Sequence, residues 1–512
     1  MYNKDIFPDL EQRVEEAVKN GELSRRDALK VFAFASGALM IGETSLFADG
    51  NETNATDANA TPKLKQGMDA KIVIIGGGSA GITVAARLVK ADVKPENITL
   101  VEPSDKHVYQ PGQTLVAGGI KTLESLIKDE ADYVPSGVNW VKEKAVEFVA
   151  ETNTVKLASG KTLNYDYLVV AAGLQYNYSK IKGLTADMIG KDGIHCIYDP
   201  KGSVAMWEAM QQLKGGNLLF TNPSTPIKCG GAPQKIMYLT EDYMRNYSNT
   251  RKDAKIEFMT AGGKYFGVPA YHEAVVGFVK EKEINTSFSH NLVEVKPTEK
   301  IAIFEKKTKV KVFDKDLGEE IEEEKIELVE KKYDLLHIAP PMSPVEEVVK
   351  SPFVNNKGWM FVDEQTMQSK KFPNVFGIGD CIGTPFGKTG GSVRKQAPVL
   401  VQNMIALMNG KAMEGKYNGY TVCPLITKRG KVMLAEFGYS KEQVEKKEPI
   451  TKADTMPSFP LDPAQERWLW WASKDKSYCS GNDCKGVASK DKSYCKSKQC
   501  KAIASGDKSY CN

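Results

Sequence analysis

Long apolar runs, basic patches and histidines are all scarce in this 512-residue chain, and each scarcity closes off a class of function. A bilayer-spanning helix needs about 20 apolar residues in a row. The nearest candidate, residues 31–42 (VFAFASGALMIG), is too short. Against 69 Lys and Arg stand 65 Asp and Glu, so the formal net charge is only +4. No basic run is interleaved with base-stacking aromatics, and no nucleic-acid partner is expected. The 5 histidines show no metal-ligand spacing, which argues against a resident metal. The remaining composition is ordinary globular material, 41% hydrophobic and 26% charged, long enough for two or three domains around a large core. The 9 cysteines stand out by placement: Cys196, Cys229, Cys381 and Cys423 are scattered through the body, and five crowd the end.

The apolar stretch at residues 31–42 follows SRRDALK, residues 24–30. Two arginines, a short apolar segment and small residues up to Ala48 read as a twin-arginine export signal over residues 1–48; an amphipathic helix with a chance Arg-Arg is the alternative. Residues 49–69 are polar and low in complexity, and read as a flexible linker. Strand-like runs then alternate with helical patterns from KIVIIGGG to NVFGIGD, the signature of an α/β protein with parallel sheet. Residues 294–333 alternate Lys and Glu with β-branched residues and read as a solvated, strand-rich excursion. From Ala472 a 16-residue repeat (ASKDKSYC…) restarts at Ala488 and Ala504. Its C-x₄-C spacings suit disulfides after export, or less readily a metal, and it carries too few large hydrophobes for a core of its own.

Gly76-x-Gly78-x-x-Gly81 follows a strand pattern and opens a helix pattern, the context a dinucleotide fingerprint requires. The turn Gly76, Gly77, Gly78, Ser79, Ala80, Gly81 would bring backbone N–H groups to a pyrophosphate, and Glu102, ending NITLVE, would take ribose hydroxyls. Two later segments resemble two-dinucleotide-binding flavoproteins: YDYLVVAAGLQ with Gly173, and NVFGIGD with Gly379 and Asp380. That resemblance implies FAD. A second Gly-rich fingerprint is absent from the middle of the chain, where GGNLLFT is followed by NPSTPIKCGGAPQ, so no nicotinamide nucleotide is expected there.

Cysteine is among the most buried residue types, so Cys229 alone reads first as packing. Its surroundings change that. NPSTPIKCGGAPQKIMYLTEDYMR (222–245), VEPSDKHVYQPGQTLVAGG (101–119), APPMSP (339–344), NVFGIGDC (374–381) and YNGYTVCPLITKRGKVMLAEF (417–437) resemble the sulfide:quinone oxidoreductases, including the mitochondrial type, over roughly residues 70–440. The resemblance implies two Rossmann-like domains of the disulfide-reductase flavoprotein type. The FAD-binding one would span 70–180 and 335–410, a second without the nicotinamide fingerprint 181–334, and a quinone- and membrane-contact region 411–471. It also implies Cys229 and Cys423 as the redox pair, and FAD contacts at the Gly76–Gly81 turn, Glu102, Gln110, the backbone near Ala145, Asp380 and Lys388. The partners implied are sulfide, a membrane quinone and a thiol or polysulfide that takes the sulfur, in a peripheral, periplasmic protein compatible with a homo-oligomer. Lys228 is expected to favour the Cys229 thiolate, while Cys381 and Cys196 are expected to be structural. RWLWWASK, residues 467–474, fits an interfacial anchor or core packing equally. A cytochrome-linked sulfide dehydrogenase subunit and an exported sulfane-sulfur relay remain the alternative functions.

Overall fold

The computed structural model describes residues 64–314 and 319–439. The expected export signal, most of the linker, the tryptophan element and the cysteine repeat lie outside the described residues. Two five-stranded parallel sheets organise the described chain. The first begins with β1 (Ile72–Ile75), whose residues IVII are buried on both faces, as a central parallel strand must be. A glycine turn leads from it into α1 (Ser79–Lys90), and β2 (Ile98–Val101) pairs parallel beside β1. Beyond β2 lies β3 (Asn139–Val141). On the other side come β4 (Tyr167–Val170) and a strand from far along the chain, Val375–Gly377.

The second sheet repeats the plan. In spatial order it runs β5 (Ile194–His195), a strand at Leu335–His337, β6 (Gly216–Asn222), β7 (Ala254–Thr260) and β8 (Asn285–Phe288), all parallel. Leu335–His337 therefore belongs to the second unit, and the return to the first falls after it rather than at residue 335. α2 (Ala232–Asn246) follows β6 just as α1 follows β1.

A hairpin projects from the second unit. β9 (His290–Lys296) pairs with the base of β10 (Ile301–Asp314), which runs antiparallel to β11 (Glu319–Lys332) over its whole length. Lys307–Glu324 at 2.5 Å and Lys309–Glu322 at 2.7 Å ladder one face, which is the solvated excursion expected from the Lys/Glu alternation. Exposed pairs of this kind are screened by water and add little to stability, so they keep the ribbon soluble rather than hold the fold.

The Leu335–His337 strand is β12, and Val375–Gly377 is β13. α3 (Gly390–Met408) then packs on the first unit, and the hairpin β14 (Thr421–Lys428) and β15 (Lys431–Phe437) completes the described chain. Cys423, Leu425, Ile426, Met433 and Ala435 of this hairpin join the hydrophobic core of the second unit. That burial carries a late segment of sequence onto α2. Among the described residues, no helix is long and apolar enough to cross a membrane.

Candidate active site

A cavity of about 380 Å³ runs from the glycine turn after β1 to the start of α2. Three helix N-termini open onto it: Ser79 of α1, Ala232 of α2, and Gly390 of α3 with its cap Thr389. The first-turn N–H groups of a helix lack intrahelical partners and carry partial positive charge. Gly78 and Gly231, the N-caps of α1 and α2, offer no side chain to these groups, whereas the Thr389 hydroxyl accepts from Ser392 N–H. The uncapped start of α1 thus aims donors at this space, which suits a pyrophosphate, whereas at the start of α2 Ala232 N–H is already donated to the Cys229 carbonyl and Pro233 has none to offer.

The walls fit a dinucleotide. A side chain on Gly78, Gly173 or Gly390 would meet no atom within 4 Å, so these cavity-lining glycines leave room for a ligand. Glu102 ends beyond β2 with one carboxylate oxygen accepting from Gly77 N–H at 2.7 Å and the other from Ser104 N–H at 2.8 Å. Asp380 follows β13 and lines the same space; burial pushes its carboxyl up, against the pull of Lys228 and Lys388. Lys388 Nζ donates to the carbonyls of Asp380 (2.8 Å) and Ile382 (2.6 Å) and sits 3.9 Å above the Trp359 ring. Burial pushes its amine down to about 8.

Of the residues expected to contact FAD, Gly76, Gly77, Gly78, Ser79, Ala80, Glu102, Gln110, Gly173, Gly379, Asp380 and Lys388 line the cavity. Two expected positions do not. Gly81 sits on α1 where a Cβ would fall 1.8 Å from Gly76 O, so it lets the helix close on the turn instead of touching a ligand. Ala145 begins a strand of a small antiparallel sheet and is buried in the core of the first unit, and it is not among the residues that line the cavity.

Cys229 lies in the loop between β6 and α2, half-buried against the cavity, with φ +48°. A left-handed backbone is uncommon for a non-glycine residue and persists only when neighbours hold it. Its N–H donates to Lys388 O at 2.8 Å, and its carbonyl accepts from Ala232 N–H at 2.7 Å. Cys423, on β14 and only 5% exposed, reaches it from the opposite side. Its sulfur occupies the space a Cβ on Gly231 would need, 2.6 Å away, so only glycine at 231 permits the approach. The two thiols hydrogen-bond. Cys423 as donor, then Lys235 with Nζ 3.1 Å from Cys229 Sγ, holds Cys229 well below the usual thiol range; the bond to Cys229 and burial push Cys423 well above it. Burial opposes charge on Lys235, but the two cysteines outweigh it and keep the ammonium. Cys229 is therefore the thiolate and Cys423 the thiol.

Lys228, the expected cation, does help lower Cys229, but less than Lys235, because its Nζ turns to Gln110 Oε1 at 2.6 Å and to the Tyr176 hydroxyl. Lys235 is the nearer charge. It ends the Lys-Cys-x-Gly-Ala-Pro-Gln-Lys pattern, and one turn of helix beyond Gly231 folds it back onto Cys229, a signal legible only with the helix start fixed. Cys381 is fully buried with Sγ 3.5 Å from the carbonyls of Val170 and Ile378, and burial pushes it up to about 11. Cys196, equally buried, receives the Tyr178 hydroxyl at 3.5 Å. Among the described residues, no His, Cys, Asp and Glu cluster could hold a metal.

A dinucleotide cavity with Cys229 in its wall and Cys423 packed behind it against Gly231 fits an oxidoreductase of the disulfide-reductase flavoprotein class. Residues 70–198 match the family model for pyridine nucleotide-disulphide oxidoreductases. Mitochondrial sulfide:quinone oxidoreductases are similar through most of the chain. That of Mus musculus is 39% identical, over 80% of this chain and 87% of the relative, and that of Dictyostelium discoideum 38% identical, over 78% and 82%. The crystal structure of the sulfide:quinone oxidoreductase of Aquifex aeolicus shares the fold at a TM-score of 0.58 and 18% identity, covering 79% of this chain and 92% of that one. The chain belongs to the sulfide:quinone oxidoreductase family.

Proposed function

We propose that the protein oxidises sulfide to sulfane sulfur at Cys229 and Cys423 and passes two electrons through FAD to a membrane quinone. The observation that carries this reading is the thiolate–thiol pair meeting at the wall of a dinucleotide cavity, with Lys235 3.1 Å from the thiolate.

In the oxidised enzyme the two cysteines form a disulfide. Hydrosulfide attacks one sulfur, the S–S bond breaks, and the other leaves as thiolate. The lower-pKa sulfur leaves faster, which makes Cys229 the leaving group and puts the persulfide on Cys423. A thiol or polysulfide acceptor then takes the outer sulfur as its own persulfide, and Cys423 is left as a thiol. Closing the disulfide again releases two electrons and, from the remaining thiol, a proton. Bound FAD supplies the two-electron acceptor. The chain's own part is to hold Cys229 charged through Lys235, fix its backbone on Lys388 O, and keep Cys423 within reach through Gly231. The Gly76–Ala80 turn, Glu102, Gln110, Asp380 and Lys388 would hold the cofactor along the cavity.

The export signal read from SRRDALK and residues 31–42 supports an exported, membrane-peripheral enzyme as the second half of this proposal. A direct test mixes the purified yellow protein anaerobically with sulfide and follows the flavin absorbance. Bleaching, then recovery with a short-chain quinone, is expected. Recovery with cytochrome c and none with quinone would sink the assigned acceptor, and no bleaching would sink the reaction.

A further inference from the structure

One carboxyl group in the cavity has no part in the sulfur chemistry. Glu130 lines the cavity beside the glycine turn and is 1% exposed. Its Oε2 lies 3.1 Å from Nδ1 of His107, itself buried against Tyr133 with ring centroids 4.9 Å apart. Its backbone N–H is tied to Asp105 O at 2.9 Å, so the side chain has a fixed base. Its Oε1 has no hydrogen-bond partner. That oxygen lies 2.7 Å from where a Cβ on Gly77 would stand, and Glu102 Cγ lies 2.6 Å from the same point. Gly77 is therefore wedged between two carboxyl side chains.

A buried carboxyl oxygen without a donor is costly, and burial pushes Glu130 up, against the pull of His107 and with the charge of Glu102 adding to it. The cavity is the side from which a donor can arrive. Each oxygen of Glu102 already accepts one N–H and keeps a second lone pair. Two neighbouring carboxyl groups with free acceptor sites match two neighbouring O–H donors, and they repel a phosphate ester placed between them.

We propose that Glu130, oriented by His107, binds one hydroxyl of the adenosine ribose of the dinucleotide while Glu102 binds the other, and that the pair rejects 2′-phosphorylated adenosine. The inference rests on the FAD reading above. It adds a binding residue that neither the Gly-x-Gly-x-x-Gly turn nor the strand-end glutamate indicates.

The test compares wild-type holoenzyme with Glu130→Ala and Glu130→Gln, following release of flavin after dilution by the recovery of free-flavin fluorescence. Losing a hydrogen bond to a charged group corresponds to release about tenfold faster in Glu130→Ala. A smaller increase is expected in Glu130→Gln, with FMN, which lacks adenosine, binding both apoproteins as it binds the wild type. Release within about twofold of wild type in both variants would overturn the proposal, because a hydrogen bond worth having shifts it further. An equal loss of FAD and FMN affinity would also overturn it, by making Glu130 a structural residue only. Should Glu130→Ala fail to fold, the near-isosteric Gln variant carries the comparison. On wild-type apoprotein, ADP should compete with FAD while 2′-phospho-ADP should not; equal competition would refute the rejection of the phosphate. A wild-type protein that binds no FAD at all would instead sink the cofactor reading, and this inference with it.

Discussion

The two strand–loop–helix modules, β1–α1 and β6–α2, share one local architecture and put it to opposite uses. In each, a buried parallel strand ends at the cavity and an uncapped helix begins there. The first module spends its loop on glycines: Gly76 adopts φ +101°, and Gly81 lets α1 close on the turn. The second replaces that tight turn with a longer loop holding Cys229 in the same left-handed region, at φ +48°. A loop that would present N–H groups to phosphate oxygens in the one presents a sulfur in the other, held by the Lys235 ammonium rather than by the helix start. The difference is one of loop chemistry on a common frame.

The comparison can be broken from either side. The largest effect belongs to the second module: Cys229→Ser or Cys423→Ser should lower sulfide-driven flavin bleaching by about three orders of magnitude or more, as loss of a reacting group does, with flavin still bound. Wild-type bleaching in either variant would end the two-sulfur reading. In the first module the mirror experiment is Gly81→Ala. A Cβ 1.8 Å from Gly76 O forces the turn open, so the protein should purify with little flavin while Cys229 still reacts with iodoacetamide at neutral pH. Gly231→Ala sharpens the contrast by moving one atom of the second module only. It drives Cys423 Sγ from its place, and a displacement of about 1 Å costs on the order of 100-fold in bleaching rate, with flavin content unchanged.

Lys235→Met should act more gently. The thiolate of Cys229 is held down by Cys423 and Lys235, so removing the ammonium raises its pKa. The pH midpoint for alkylation should move upward, with about tenfold slower reaction at neutral pH for each unit it moves, and Lys228→Met should shift it less. Equal shifts would make the two lysines equal partners of the thiolate, against the closer approach of Lys235. Smallest of all, Cys381→Ser should leave turnover intact and change stability by no more than about 1 kcal/mol, because its sulfur only fills a buried niche beside two carbonyls.

How legible the molecule was depends on whether the information is local. The first module is written in consecutive residues, and its turn, its strand-end Glu102 and its helix could all be read directly. Cys229 and Cys423 could be paired through family-like motifs, but not by periodicity, because nothing local tells a hairpin which helix it will cover. Ala145 was misplaced for a related reason: its neighbourhood fixes a strand without fixing which sheet receives it. Lys235 was hidden by sequence adjacency, which favoured Lys228; helix geometry turned the farther lysine inward and the nearer one toward Gln110 and Tyr176. Glu130 gave no signal at all, since its meaning comes from Gly77, half a domain away in the chain.

The hairpin that carries Cys423 also sets an order of events during synthesis. A ribosome completes both Rossmann sheets before it makes β14 and β15. On the proposed reading, a chain cut short at that stage would hold one of its two sulfurs, and it should take up flavin yet stay inert toward sulfide.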